Sequence, residues 1–230
     1  MSKIKKSNID YSLYLVTDRN IINKNRKDFI QSVKEAILGG VTVVQLREKN
    51  ISSKEFYEIA KKVKKLTDEY NVALIINDRL DIALSVDADG VHLGQEDLPI
   101  DVAKKLLGKD TIIGISTATL EESIEAEKKG ADYIGVGAMF STNTKEDIRK
   151  VDIKTLKDIK ENISIPVVAI GGINHSNVER LKPSKIDGIA VVSAILSSDD
   201  IKKSSKELKN IFSWWLIYIL MLLYEYYFKT

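Results

Sequence analysis

Val41-Thr42-Val43-Val44-Gln45-Leu46-Arg47-Glu48-Lys49 reads as a short apolar strand that runs straight into fixed charge. Valines pack well on a pleated surface, and a nearly continuous apolar run suits a strand covered on both faces, as in a parallel sheet. Past its apolar part the side chains alternate in direction, so Gln45, Arg47 and Lys49 share one face. Arg offers a planar fork and Lys a compact ammonium, a pair suited to the oxygens of a small polyanion. Taken alone, the same residues also suit a solvated strand end paired with neighbouring carboxylates. The other strands favour the polyanion, because they too carry polar groups at the same end.

Outward from this stretch, strand and helix patterns alternate along the chain. Strands are expected at Tyr11 to Thr17, Val41 to Leu46, Ala73 to Ile76, Gly90 to Leu93, Ile112 to Ile115, Tyr133 to Val136, Val167 to Ile170 and Gly188 to Val192. Helical spacing is read at Asp28 to Leu38, Ser53 to Tyr70, Arg79 to Ser85, Ile100 to Leu107, Leu120 to Lys129, Ile153 to Glu161, Asn174 to Leu181 and Asp199 to Asn210. Each crossover helix returns the chain to the same edge, so the strands pair in parallel. Eight such units in one chain of 230 residues favour a closed (β/α)8 TIM barrel over an open doubly wound sheet. The barrel is assigned to residues 1–210 as a single domain, with an apolar aromatic C-terminal tail over 211–230. Functional groups of such a barrel gather at the C-terminal ends of its strands.

Composition excludes several classes of function. With 35 basic and 33 acidic residues the net charge is +2, and the lysines are scattered rather than gathered with aromatics, which argues against a nucleic-acid surface. No cysteine means no thiol nucleophile, disulfide or thiolate metal site, and two histidines argue against a His-rich transition-metal centre. The start, Met1-Ser2-Lys3-Ile4-Lys5-Lys6, has positive charge but no following apolar stretch of a secretory signal, so a cytoplasmic location is expected.

At the strand ends, Asn77-Asp78 follows the third strand and Gly94-Gln95-Glu96-Asp97 the fourth. In a barrel these strands are neighbours, so Asp78 and Asp97 can converge on one hard cation, for which Mg²⁺ is the natural candidate; a helix cap and a turn are the structural alternatives. The fifth strand leads into Ser116. The sixth enters the long loop Gly137-Ala138-Met139-Phe140-Ser141-Thr142-Asn143-Thr144-Lys145, which offers hydroxyls and an ammonium to anionic oxygens. Gly171-Gly172 after the seventh strand allows close backbone approach to a ligand. Val192-Ser193 after the eighth opens a helix, completing a phosphate position common to many barrels. His92, within a strand, is read as a hydrogen-bonded mouth or core residue, and His175 as the start of a surface helix; neither is given a catalytic role.

Gln45-Leu46-Arg47-Glu48-Lys49, Asn77-Asp78-Arg79, Gly90-Val91-His92-Leu93-Gly94-Gln95-Glu96-Asp97, Thr142-Asn143-Thr144-Lys145 and Gly171-Gly172-Ile173 together closely resemble the thiamine-phosphate synthase family over about Tyr11 to Leu208. The resemblance implies a (β/α)8 transferase that joins 4-amino-2-methyl-5-(diphosphooxymethyl)pyrimidine to a thiazole phosphate, releasing pyrophosphate with Mg²⁺ as cofactor. It implies a pyrimidine diphosphate site at Gln45, Leu46, Arg47, Glu48, Lys49, Asn77, Ser116 and Lys145, with Arg47, Lys49, Ser116 and Lys145 carrying the catalysis. It implies a thiazole phosphate site at Thr142, Asn143, Thr144, Gly172, Val192 and Ser193, and magnesium ligands at Asp78 and Asp97. The mechanism it implies is dissociative: pyrophosphate leaves first, and the thiazole nitrogen captures the pyrimidine methylene cation.

Two features depart from the family. Ser141 stands before Thr142 where the family usually has proline, which loosens the loop without removing a ligand. The chain also continues into Ile211-Phe212-Ser213-Trp214-Trp215-Leu216-Ile217-Tyr218-Ile219-Leu220-Met221-Leu222-Leu223-Tyr224, a run without charge. As a helix, residues 211–228 would span about 27 Å, short of a hydrocarbon core of about 30 Å. Membrane anchoring is therefore the lesser reading, beside docking on the barrel or a contact between copies in a homo-oligomer. Two other functions compete: a thiazole tautomerase-like enzyme, which needs no diphosphate and metal site, and a non-catalytic barrel tethered to a membrane.

Overall fold

The computed structural model describes residues 4, 6–141 and 149–212. Eight parallel strands close into a barrel in sequence order: β1 (Leu13–Val16), β2 (Val43–Leu46), β3 (Ala73–Asn77), β4 (Gly90–Leu93), β5 (Ile112–Thr117), β6 (Tyr133–Val136), β7 (Val167–Ile170) and β8 (Gly188–Val191). The register joins Tyr14 to Val43 at one seam and Tyr14 to Ala190 at the closing seam. The expected TIM barrel is thus the observed fold.

Helices α1 (Arg19–Lys24), α2 (Phe29–Leu38), α3 (Ser53–Glu69), α4 (Leu80–Ser85), α5 (Ile100–Leu107), α6 (Leu120–Lys129), α7 (Ile153–Asn162) and α8 (Ser193–Leu196) cover the outside, with a last helix, α9, over 201–212. Their starts are written in the sequence. Asp28, Ser52, Thr119 and Asp152 each cap a helix by accepting a hydrogen bond from a backbone N–H three residues on.

Strand periodicity splits the core in two. Leu13, Leu15, Val44, Leu46, Leu74 and Ile76 face the helix layer. Tyr14, Val16, Val43, Ala73, Ile75, Ile112, Tyr133, Val168 and Ala190 fill the barrel interior. Parity therefore decides which strand residues can reach the mouth, and Leu46, fully buried under the helices, brings only its main chain to that end.

Three expectations change. Helix α1 was not anticipated; Asp18, just past the first expected strand, accepts from Asn20 N at 2.9 Å and starts a helix. The helix expected over Asn174 to Leu181 is instead a 3₁₀ segment, Val178–Ser184, so His175 lies in a loop. There Ser176 N donates to Asn174 Oδ1, and Asn174 N to Asn177 Oδ1, each at 2.9 Å, and these side chains take the backbone groups a helix would use. Helix α9 runs two residues past Asn210, and Phe212 is buried in the core, so the packed unit reaches 212. The expected site residues Thr142, Asn143, Thr144 and Lys145 and the tail beyond 212 lie outside the described residues. No helix among the described residues is long and apolar enough to cross a membrane.

Candidate active site

The C-terminal ends of the strands surround a cavity of about 180 Å³, lined among others by Thr17, Arg47, Ser116, Arg149, Gly172, Val192 and Ser193. A second recess of about 190 Å³ opens beside it between α1 and the end of β2, lined by Arg19, Asn23, Arg47, Glu48 and Lys49. Arg47 lines both, and the structure brings it to one mouth with Ser116, Gly172, Val192 and Ser193, as expected.

Arg47 is held at its main chain, where its N–H donates to Thr17 Oγ1 at 3.1 Å. Its Nε is buried and has no hydrogen-bond partner among the described residues. A buried guanidinium donor left open is costly unless an acceptor arrives, so this atom points to an anionic ligand. The adjacent Glu48 turns away from the cavity towards α1. Its carboxylate lies 2.9 Å from Arg19 Nε as an ion pair too bent to be a hydrogen bond, while Arg19 also reaches Glu55 at 2.9 Å. Burial, which outweighs the attraction of Arg19, raises the Glu48 pKa. Glu48 thus positions the loop after β2 rather than facing the cavity.

At the ends of β3 and β4, Lys49 pairs with the Asp78 carboxylate. Asp78 has a left-handed backbone, φ 61°, and its N–H donates to His92 O at 2.9 Å, which ties its position to β4. Asp97 accepts from Gly94 N at 2.7 Å. Burial first, and then the negative charge of Asp78, raise the Asp97 pKa from its ordinary value. The two carboxylates follow neighbouring strands, β3 and β4, at the same end of the barrel. No group of three or more acidic or histidine side chains is gathered as a metal site among the described residues. Mg²⁺ needs only one or two carboxylates, with water and phosphate completing its octahedron, so the pair fits it.

Opposite this acidic pair, Gly171 and Gly172 take φ of 101° and 65°. A side chain on Gly172 would meet the Ser141 and Phe140 carbonyl oxygens at 2.5 and 2.8 Å, so only glycine lets the β7 loop lie against the β6 loop here. Val192 precedes α8, and Ser193 is its exposed first residue.

The sequence reading missed three parts of this mouth. Arg149 lines the cavity and forks onto Glu122, with its Nη2 at 3.1 Å. Arg19 braces the β2 loop. Beneath the cavity, Gln45 and Ser116 are joined through Tyr14, Tyr133 and His92, a connection that strand parity could have revealed because all five residues face inward.

The family model TMP-TENI, described as thiamine monophosphate synthase, matches residues 13–195. The chain is 56% identical over 206 residues to the thiamine-phosphate synthase of Clostridium tetani, covering 90% of this chain and 98% of that one. It is 58% identical over 207 residues to the enzyme of the same name from Ruminiclostridium cellulolyticum, with the same coverage of 90% and 98%. Among solved structures it is similar to a thiamine phosphate pyrophosphorylase from Pyrococcus furiosus, with a TM-score of 0.83 and 46% identity over 90% of this chain and 98% of that one. The chain belongs to the thiamine monophosphate synthase family of transferases.

Proposed function

We propose that the mouth joins 4-amino-2-methyl-5-(diphosphooxymethyl)pyrimidine to a thiazole phosphate, giving thiamine phosphate and pyrophosphate. The observation that carries this reading is the buried Nε of Arg47, unpartnered among the described residues, beside Lys49 and the Asp78–Asp97 pair. A thiazole tautomerase would use neither a diphosphate clamp nor a cation site.

In the proposed reaction the bond from the pyrimidine methylene carbon to the diphosphate oxygen breaks, and pyrophosphate keeps the electron pair. The methylene cation, stabilised by the electron-rich ring, accepts the lone pair of the thiazole nitrogen, so the new C–N bond makes the thiazolium without a proton transfer. Arg47, Lys49 and Lys145 hold the departing diphosphate; Gln45, Asn77 and Ser116 orient the pyrimidine. Gly172, Val192 and Ser193, on the opposite side of the mouth, hold the thiazole phosphate together with Thr142, Asn143 and Thr144. Asp78 and Asp97 would hold Mg²⁺, which when bound neutralises charge on the diphosphate oxygens. Holding both substrates together and excluding water is the larger task, because the cation reacts with any nucleophile within reach.

The test is to supply purified protein with both substrates and Mg²⁺ and to follow thiamine phosphate and pyrophosphate together. The proposal expects them in equal amounts, each dependent on both substrates; pyrophosphate without thiamine phosphate, or neither product, would overturn it.

A further inference from the structure

A buried chain of hydrogen bonds crosses the barrel beneath the cavity. Gln45 Nε2 donates to Tyr14 OH at 2.8 Å, and Tyr14 OH lies 2.8 Å from Tyr133 OH. Tyr133 OH lies 2.9 Å from His92 Nδ1, and His92 Nε2 lies 2.9 Å from Ser116 Oγ. Both tyrosines are fully buried, and their space is prepared by their neighbours: a Cβ on Gly114 would stand 2.1 Å from the Tyr133 ring, and one on Gly135 would stand 3.0 Å from the His92 ring. Five inward positions on five strands are thus committed to one polar line through an otherwise apolar interior.

The line has one self-consistent direction. The Gln45 amide nitrogen can only donate, so the Tyr14 hydroxyl hydrogen must go onward to Tyr133. The Tyr133 hydrogen then goes to His92 Nδ1, which accepts. His92 carries its hydrogen on Nε2 and gives it to Ser116 Oγ. Burial pushes the ionisation of both phenols well up, so both keep the hydrogens this direction requires.

We propose that Tyr14, Tyr133 and His92 are positioning residues that set the hydrogen-bonding sense of Gln45 and Ser116, and through it the choice of pyrimidine. One N–H of the Gln45 amide goes to Tyr14, which fixes the amide's orientation and keeps its carbonyl oxygen, an acceptor, on the side away from Tyr14. Ser116 accepts from His92, which leaves its own hydroxyl hydrogen to donate. An acceptor at Gln45 on β2 and a donor at Ser116 on β5 match a 4-aminopyrimidine held between them, whose amino group donates and whose ring nitrogens accept. A 4-oxopyrimidine sets an oxygen against the Gln45 oxygen and is refused. This inference rests on the proposed pyrimidine site at Gln45 and Ser116, and it assigns that site a means of telling an amino from an oxo ring.

Two measurements test it. The first needs no substrate: with His92 and His175 as the two histidines, ¹⁵N-labelled protein and a His175→Gln variant identify the His92 ring nitrogens by NMR. At about pH 7.5 the hydrogen is expected on Nε2; a hydrogen on Nδ1 would overturn the inference. The second measures binding by calorimetry of 4-amino-2-methyl-5-(phosphooxymethyl)pyrimidine and its 4-oxo counterpart, neither of which carries the diphosphate leaving group. The full chain should prefer the amino compound at least about tenfold, and Tyr133→Phe should reduce the preference to within about threefold. Tyr11→Phe, at a buried ring 4.9 Å from Tyr133 but outside the line, should leave it unchanged. A preference retained in folded Tyr133→Phe would overturn the inference. If Tyr133→Phe does not fold, the His92 hydrogen still decides. A full chain that binds neither compound, yet carries the hydrogen on Nε2, refutes the pyrimidine site and not the direction of the line.

Discussion

Lys49 closes its ammonium on the Asp78 carboxylate, so a cation read as a diphosphate ligand is already paired with a carboxylate read as a magnesium ligand. The two roles therefore compete in the absence of ligand. Asp78→Asn should raise the Mg²⁺ concentration for half-maximal activity by about tenfold or more, because the hard cation loses a formal charge. Lys49→Ala should lower turnover without raising that concentration, since it removes a competitor for Asp78. Magnesium titrations of the two variants separate the roles, and full activity in excess chelator would sink the metal assignment.

Arg47→Ala should reduce turnover by about 10² to 10³, the usual consequence of removing one preorganised donor from a developing anion. The fold should survive, because Arg47 is half-buried and its buried Nε holds no partner among the described residues. Lys145→Ala should behave alike if both clamp the diphosphate. Single-turnover rates and circular dichroism check both; near wild-type rates would remove these residues from the site.

Strand order, strand boundaries and the polar mouth were legible because each rests on local pattern: apolar runs, caps such as Ser52, and charges placed just after Leu46. What was not legible depends on parity and partners. Leu46 and Glu48 belong to the same motif as Arg47 and Lys49, yet Leu46 faces the helices and Glu48 turns to Arg19 on an unforeseen helix. The 3₁₀ segment escaped because Asn174 and Asn177 side chains, rather than any apolar period, decide the backbone there. His92 was read as a hydrogen-bonded mouth or core residue, and its ring is hydrogen-bonded, but its line to Tyr133 crosses 41 residues of sequence and follows from barrel closure alone.

Acid should loosen the bottom of the barrel through Asp10, whose carboxylate lies 2.8 Å from Lys209 Nζ on α9. Burial raises the Asp10 pKa, but hydrogen bonds from Lys209 and Ser12 outweigh it and leave it below the ordinary value. A carboxyl with a lowered folded pKa stabilises above the unfolded pKa and loses that contribution as pH falls through the folded one. The pair is partly exposed, so its contribution is at most about 1 kcal/mol. Asp10→Asn should lower the thermal midpoint by up to about 3 °C near neutral pH, with the difference shrinking as pH falls below the ordinary carboxylate pKa. A constant difference across that range would contradict the assignment.

The tail should be dispensable for catalysis provided the cut respects Phe212, which is buried in the core with Leu208. A chain ending at Phe212 should match the full chain in activity. One ending at Asn210 should melt lower, since losing a buried aromatic ring leaves a cavity. Equal melting of the two truncations would show that Phe212 packs without consequence, and an inactive chain ending at Phe212 would show that the tail belongs to the working enzyme.

The most direct measurement of the central claim is a paired product assay on the full chain with the aminopyrimidine diphosphate, the thiazole phosphate and Mg²⁺. Thiamine phosphate and pyrophosphate should appear in equal amounts, and Arg47→Ala should slow both together. Thiamine phosphate formation that is indifferent to Arg47, or pyrophosphate release with no thiamine phosphate, would contradict it.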